Sequence, residues 1–451
     1  MNITLEKLAE VLNAPFQGKD SVAISGVAFD SRHVKEGQLF IALVAENDGH
    51  DYIENALANG AHAVLVDSQH QLKEDWPAVI VDDTLVAMQK LGQWYRHQVN
   101  PKVVAITGSN GKTTTKDMAA EIANQQYRTF KTPENYNNEI GVPMTLLSMP
   151  ESTEVLIVEL GMDRPGQLTV LSHLVEPDIA IITMIGEAHI EFFKTRRNIA
   201  KAKLEIINGL KAEGTLIIPN DEPLLTQEIS HIKQHVKTFG TIDADVNATD
   251  ISVENNQSQF NINQQKFAIP MLGRYNIMNA LAAITAGNLL HIDLKNAQKA
   301  LLDFDLTKNR TEILHTTHGV TIISDVYNSN PTAVKAVLAT LVSRQVQGKR
   351  YVVLGDMLEL GQQAGMMHAG LAESVQESHI DGVYLVGELM RKHLYPILQK
   401  HFDQTQLHQY AKDQLDDLVS DLNKLGQQGD VMLLKASHGI HLERVVDELM
   451  K

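Results

Sequence analysis

The stretch VVAITGSNGKTTTKDM, residues 103–118, decides how the rest of the chain is read. It starts as a continuously apolar run, passes through Gly108-Ser109-Asn110-Gly111, and continues from Lys112-Thr113-Thr114 into a segment without Pro or Gly. This pattern predicts a buried strand over 102–107, a tight turn, and a helix opening at the turn. Glycines at 108 and 111 let backbone N–H groups point toward a phosphate, and the helix N-terminus adds its positive dipole end. Lys112 can then reach β- and γ-phosphates, and the Thr113 hydroxyl can meet Mg²⁺. The usual phosphate loop is longer between its glycines; here only Ser109 and Asn110 separate them.

The same texture continues outward. EVLIVEL (154–160), DIAIITMI (178–185) and GTLIIP (214–219) read as further strands, apolar enough for a parallel sheet covered on both faces. The polar, alternating stretch at about 236–270 reads as antiparallel strands appended to that sheet. On its N-terminal side the chain mixes short elements, such as a helix ending at Gly60 with a strand after it. On the C-terminal side VTIISD, RYVVLGD, GVYLVG and VMLLKA alternate with helical segments. The expectation is an α/β protein divided at 1–98, 99–308 and 309–451, since 451 residues exceed one ordinary core.

A net charge of −16 speaks against a general nucleic-acid or anionic-membrane binder. The absence of cysteine removes disulfides, thiolate metal sites and thiolate nucleophiles. The start, MNITLEKLAEVLN, reads as an amphipathic helix with Leu5, Leu8 and Leu12 on one face rather than as a leader. No apolar run approaches the ~20 residues that span a bilayer. These features lead us to expect a soluble, cytoplasmic monomer with no nucleic-acid partner and no membrane insertion.

Several polar residues stand where chemistry could use them. Glu159 closes an apolar strand, so its carboxylate projects from the C-terminal edge of the sheet, where open α/β sheets bind ligands. The alternative is a solvated strand-end acid. His189 follows the 178–185 strand at the same edge; a structural or surface role is the alternative for one histidine among 19. In NIAKAKLEIINGL (198–210), helical periodicity puts Ile199, Lys203, Ile206, Ile207 and Leu210 on one face and Lys201, Glu205 and Asn208 opposite. A lysine on an apolar stripe either snorkels to water or is paired or modified. Asn276 and Asn279 read equally as a polar helix start. The segment SDVYNSNP, with Asp325 and Asn328, reads by itself as a turn.

Taken together, these blocks resemble the Mur ligases and the related folylpolyglutamate synthetases. TGSNGKTTT is preceded by FDSRHVKEGQLFIAL and followed, in order, by ENYNNEIGVP, VELG, GEAHIEFF, IAKAKLEI, GRYNIMNALAA, KNRTE, DVYNSNP, VLGDMLELG and LLKASHGIHLE. The resemblance implies three domains: a small mixed α/β domain for a UDP-sugar substrate, a central P-loop ATPase domain with a mostly parallel sheet, and a C-terminal Rossmann-like domain for the acceptor. It implies ATP held by Gly108, Ser109, Asn110, Gly111, Lys112, Thr113 and Thr114, with Asn276, Asn279, Arg310 and Asp325. Two Mg²⁺ ions are implied at Thr113, Glu159, His189 and Lys203, with Lys203 as N-carboxylysine. The interval from His189 to Lys203 (203 − 189 = 14) matches the family's. Lys112, Glu159, His189 and Lys203 would carry catalysis. Ser31, Arg32, Asn135, Asn137, Asn138, Asn328, Lys435 and Ser437 match substrate positions.

DVYNSNP and LGDMLELG resemble most closely the branch that adds D-alanyl-D-alanine to UDP-N-acetylmuramoyl-tripeptide through an acyl phosphate. The D-N-P-[RA] element of the third-residue-adding branch is not found. That branch, a folylpolyglutamate synthetase, and a non-catalytic nucleotide sensor are the competing readings. Three motifs depart from the family: Asn309-Arg310 for Gly-Arg, Asn328-Ser329-Asn330-Pro331 for Asn-Ala-Asn-Pro, and Lys435-Ala436-Ser437 for Lys-Gly-Ser. The first and third replace glycine, which changes the backbone conformations open to them.

Overall fold

The chain is described here from a computed structural model covering residues 1–254, 257–302, 304 and 310–451. Asn309 and the expected 308/309 boundary lie outside the described residues.

The centre of the molecule is a seven-stranded, entirely parallel sheet. Its strands run in the order Val246–Asn247, His235–Gly240, Thr215–Pro219, Ile179–Ile182, Lys102–Thr107, Val155–Glu159 and Thr129–Lys131. Alternate residues are buried on opposite faces, which explains the lack of polar alternation in the sequence. Val103, Ala105, Leu156 and Val158 pack with Leu91, Val142, Leu146 and Leu168 of helices Thr84–Val99, Gly141–Ser148 and Gln167–Val175. Val104, Ile106, Val155 and Ile157 pack with Met118, Ile122, Leu281 and Ile284 of helices Lys112–Asn124 and Arg274–Leu289. Each such side chain contributes roughly 1.5–3 kcal/mol of burial free energy.

The 236–270 region differs from expectation. His235–Gly240 and Val246–Asn247 join the main sheet in parallel; the antiparallel strands Thr249–Glu254, Gln257–Ile262 and Gln265–Ile269 form a separate sheet. His235–Gly240 alternates because it lies near the sheet margin and is only half covered. In the small sheet the alternation places Phe260, Ile262, Phe267 and Ile269 on one face, against the core beneath Arg274–Leu289.

At the N-terminus, helix Leu5–Leu12 is capped by Thr4, whose hydroxyl accepts from Lys7 N, and buries Leu5, Leu8 and Leu12. A five-stranded sheet follows, ordered Phe16–Gln17, Ala78–Val81, Ala63–Asp67, Leu39–Ile41, Val27–Ala28. The C-terminal part has a six-stranded sheet ordered Glu312–His315, Thr321–Asp325, Val431–Lys435, Arg350–Gly355, Gly382–Val386, Leu407–Tyr410. Only its first pair is antiparallel. The resulting α/β architecture has three domains. Among the described residues, no helix is long and apolar enough to cross a membrane.

Candidate active site

Strand Lys102–Thr107 delivers the chain into the 108–111 loop at the carboxyl edge of the central sheet. Both glycines are sterically required. A Cβ on Gly108 would lie 1.8 Å from Thr183 Oγ1, and one on Gly111 would lie 2.2 Å from Asn279 Oδ1. Gly111 also sits at φ +82°, which side chains rarely adopt. The loop is held by Thr183 Oγ1 donating to Asn110 O (2.5 Å) and Ser109 N donating to Met184 O (3.0 Å). Ser109 Oγ is buried without a partner among the described residues. An unpaired hydroxyl beside two glycines and a helix N-terminus fits a bound phosphate.

Lys112 Nζ donates to Gly108 O at 3.0 Å. Burial holds this amine below its ordinary lysine value; the carboxylate of Glu159 works against that shift and the guanidinium of Arg310 adds to it. Glu159 lies beside Ile106 in the parallel register and is 2 % exposed. Its Oε2 accepts from the Thr113 hydroxyl (2.9 Å) and its Oε1 from Asn137 Nδ2 (2.8 Å). A buried carboxylate, a hydroxyl and a nearby imidazole form a donor set suited to a hard divalent cation. Ser109, Lys112, Glu159, Asn137, Asn138 and His189 line one cavity of about 730 Å³.

Lys203 is 2 % exposed, whereas Lys201 faces solvent. The expected helix over 198–210 is shorter than its periodicity suggests. Residues Arg196–Leu204 are α-helical and a 3₁₀ turn, Glu205–Asn208, completes it. Ile199, Ile206 and Leu210 are buried, while Ile207 is only partly so. The Lys203 amine has no hydrogen-bond or ion-pair partner among the described residues. Burial, reinforced by the charge on Lys112, pushes it well below the usual lysine range. A buried, unpaired amine whose charged form burial disfavours is the kind that can react with CO₂.

A second cavity, of about 490 Å³, lies across the loop and is lined by Gly111, Thr114, Asn276, Asn279, Arg310 and Asp325. Asn276 and Asn279 are both buried; Asn276 Nδ2 donates to Leu272 O (2.8 Å) and Asn279 Nδ2 to Asn276 Oδ1 (3.2 Å). Arg310 stacks over Tyr327 with its guanidinium carbon 4.1 Å from the ring centroid and borders both cavities. Asn135 and Thr113 line a third cavity, which Arg310 and Tyr327 also reach.

Other expected positions are placed differently. Lys435 is 1 % exposed and pairs with Asp325 Oδ2 at 2.6 Å, directly across the parallel register. Its amine also donates to Asn328 O (3.0 Å), and both residues line the cavity of about 490 Å³. Ser437 Oγ accepts from Leu358 N (2.9 Å) and lines none of the three cavities. Ser31 is buried, and Arg32 projects into solvent on Asp30 (2.7 Å); neither borders these cavities.

Three contacts from the C-terminal domain were not anticipated. Asn330 meets Asn110, the Thr332 hydroxyl donates to Glu187 Oε1 (3.0 Å), and Glu359 Oε2 lies 2.5 Å from His189 Nδ1. Apart from Thr332, these residues sit in blocks visible in the sequence; their mutual contacts had no local signature.

Comparison with known proteins matches residues 23–127 to the Mur ligase family catalytic domain, 106–287 to the Mur ligase middle domain, and 309–438 to the Mur ligase glutamate ligase domain. The chain is 40% identical to the UDP-N-acetylmuramoyl-tripeptide–D-alanyl-D-alanine ligase of Bacillus subtilis (strain 168), covering 99% of this chain and 98% of that protein. A crystal structure of MurF from Acinetobacter baumannii is 28% identical with a TM-score of 0.90, over 100% of this chain and 99% of that one. The MurF ligase of Thermotoga maritima in complex with ADP is 28% identical with a TM-score of 0.82, over 94% of this chain and 97% of that one.

Proposed function

We propose that this chain, which belongs to the Mur ligase family, is the ATP-dependent ligase that joins D-alanyl-D-alanine to UDP-N-acetylmuramoyl-tripeptide in cytoplasmic peptidoglycan precursor synthesis. The observation that carries the chemistry is one cavity bringing Ser109, Lys112, Glu159 and His189 against Tyr327 and Asn328 of the C-terminal domain. A phosphate site and an acceptor-side wall therefore meet at the carboxyl edge of the sheet.

In the first step a carboxylate oxygen of the tripeptide attacks the γ-phosphorus, the bond to the bridging oxygen breaks, and ADP leaves. In the second, the dipeptide amine attacks the acyl carbon, the bond to phosphate breaks, and the amine loses a proton. The first step brings two anions together, so it needs fixed positive charge. Lys112, released from Gly108 O, supplies one cation to the β/γ-phosphates. Thr113, Glu159, His189 and N-carboxylated Lys203 are the residues that would hold two Mg²⁺, which neutralise the approaching oxygens when bound. Asn276 and Asn279 flank the adenine side, while Arg310 and Asp325 close the nucleotide cavity from the C-terminal domain. Asn135, Asn137 and Asn138 face the tripeptide, and Ser31 and Arg32 belong to its UDP end. Asn328 faces the acceptor, with Lys435 and Ser437 holding that edge in place. The division of labour is 1–98 for the UDP-sugar, 99–308 for ATP and 309–451 for the acceptor.

The test is phosphate release from ATP with neither, one or both of UDP-muramoyl-tripeptide and D-alanyl-D-alanine, alongside other amine acceptors. Release that depends on both, with amide formed, is expected. Equal turnover with a single free amino acid as acceptor would move the protein to a neighbouring branch, and nucleotide binding without turnover would make it a sensor.

A further inference from the structure

The close approach of Glu359 to His189 links two domains at a metal-binding candidate. His189 caps helix Ile190–Phe193 at φ +61°, and Glu359 sits at φ +59°; both are non-glycine residues in the left-handed region. Such conformations persist only where surrounding contacts enforce them. Here Glu191 N donates to Glu359 O (3.0 Å) and Gln363 Nε2 donates to Lys194 O (2.9 Å). Gly361, at φ +55°, lies so close that a Cβ would sit 2.9 Å from Glu191 Cγ. The turn at 359–361 is therefore docked against 189–194, and Glu359 Oε2 ends 2.5 Å from His189 Nδ1, though not aligned as a full hydrogen bond.

We infer that Glu359 is a positioning residue that fixes His189 for metal ligation only when the C-terminal domain is docked. The inference rests on the proposed function for the metal itself. A carboxylate beside Nδ1 keeps the proton on that nitrogen and leaves Nε2 with the lone pair a metal needs. Carboxylates in this relation to metal-bound histidines are a general feature of metal sites. What is particular here is that the carboxylate comes from a different domain. The ring orientation suited to the cation is thus supplied by the docked C-terminal domain, which ties metal affinity to closure.

The experiment measures Mn²⁺ binding by electron paramagnetic resonance in the presence of ADP, beside steady-state ligation with Mg²⁺. The Glu359 side chain is about half exposed, so replacing it opens no core. Glu359→Ala should weaken Mn²⁺ binding roughly 10–100-fold and raise the Mg²⁺ concentration needed for half-maximal rate. Glu359→Gln, which keeps an acceptor oxygen, should lose less. Gln363→Ala, which loosens the same interface without touching His189, should weaken Mn²⁺ binding less than Glu359→Ala does, and adding it to Glu359→Ala should cost no further affinity. Parent-like Mn²⁺ affinity in folded Glu359→Ala, with a parent that ligates normally, overturns the positioning role alone. A further loss when Gln363→Ala is added to Glu359→Ala also overturns it, because docking would then act on the metal through something other than Glu359. A parent that binds Mn²⁺ but makes no amide overturns instead the function on which the inference rests.

Discussion

Asn110 and Asn330 stand 220 residues apart in sequence and face each other across the junction of two sheets. Asn330 Nδ2 donates to Asn110 Oδ1 at 2.8 Å, and Asn110 Nδ2 donates back to Asn330 Oδ1 at 3.3 Å. The same Asn330 Oδ1 accepts from Ala333 N (3.0 Å) and so caps helix Pro331–Ser343. One amide thereby joins the phosphate loop to the start of a helix in the C-terminal domain.

Asn330→Asp separates these two duties. The carboxylate still caps the helix, so the melting temperature should stay near the parent's. It cannot donate to Asn110, and it brings negative charge beside the phosphate site. ADP affinity by calorimetry should fall roughly tenfold, about 1.4 kcal/mol. An unchanged ADP affinity would mean that the phosphate site does not feel this contact.

Gly111→Ala should remove nucleotide binding while leaving the fold. The new methyl must enter the space of Asn279 Oδ1, 2.2 Å away, at a φ of +82°. That strain, of order 1–2 kcal/mol for the backbone alone, opens the loop rather than the sheet. Retained ADP binding by calorimetry, with parent-like circular dichroism, would count against the loop as the phosphate cradle.

Lys203→Ala should be nearly inactive and Lys201→Ala close to the parent, because Lys203 is buried and Lys201 exposed. If the missing group is a carbamate, formate or acetate should restore part of the Lys203→Ala rate by occupying its place. Lys112→Ala lost a cation and should not respond. Full activity of Lys203→Ala would end its role; the absence of rescue by small carboxylates, or of a carbamate carbon signal after ¹³CO₂ labelling, would remove the carbamate.

The burial of Lys203 also predicts a pH dependence of stability in CO₂-free buffer. Its folded value lies below the unfolded one, so between the two the unfolded chain holds the extra proton. Stability therefore rises with pH across that window, by up to about 1.4 kcal/mol per pH unit, until the unfolded amine titrates near 10.4. Lys203→Met lacks the group, so the parent's stability minus the variant's should climb toward alkaline pH. A flat difference in urea unfolding between neutral and alkaline pH would contradict the depressed amine.

Lys435→Met should act on stability. Removing the lysine leaves Asp325 without its partner and Asn328 O without its donor, a loss on the order of 3 kcal/mol in denaturant unfolding. Adding Asp325→Asn should recover part of that loss. Unfolding of Lys435→Met at the parent's urea midpoint would show that the pair contributes nothing.

Much of this protein follows from local pattern. The continuous apolar strands and the glycine turn before Lys112 specify a parallel sheet with a phosphate loop at its edge, since each depends on neighbours within a few residues. Helical spacing likewise turns Lys203 inward, even though the helix shortens into a 3₁₀ turn after Leu204. Pattern was a weaker guide at 236–270, where alternation reports half-coverage and does not say whether a strand runs parallel at an edge or antiparallel in its own sheet. Side-chain partners across domains were beyond it. Nothing near Lys435 in sequence indicates Asp325, 110 residues away, and nothing near His189 indicates Glu359. Such pairs arise when two separately formed sheets dock, and periodicity records only which face of each element turns from water. The sequence by itself determined the elements and the chemical types at the sheet edge; tertiary docking alone decided which of those side chains face one another.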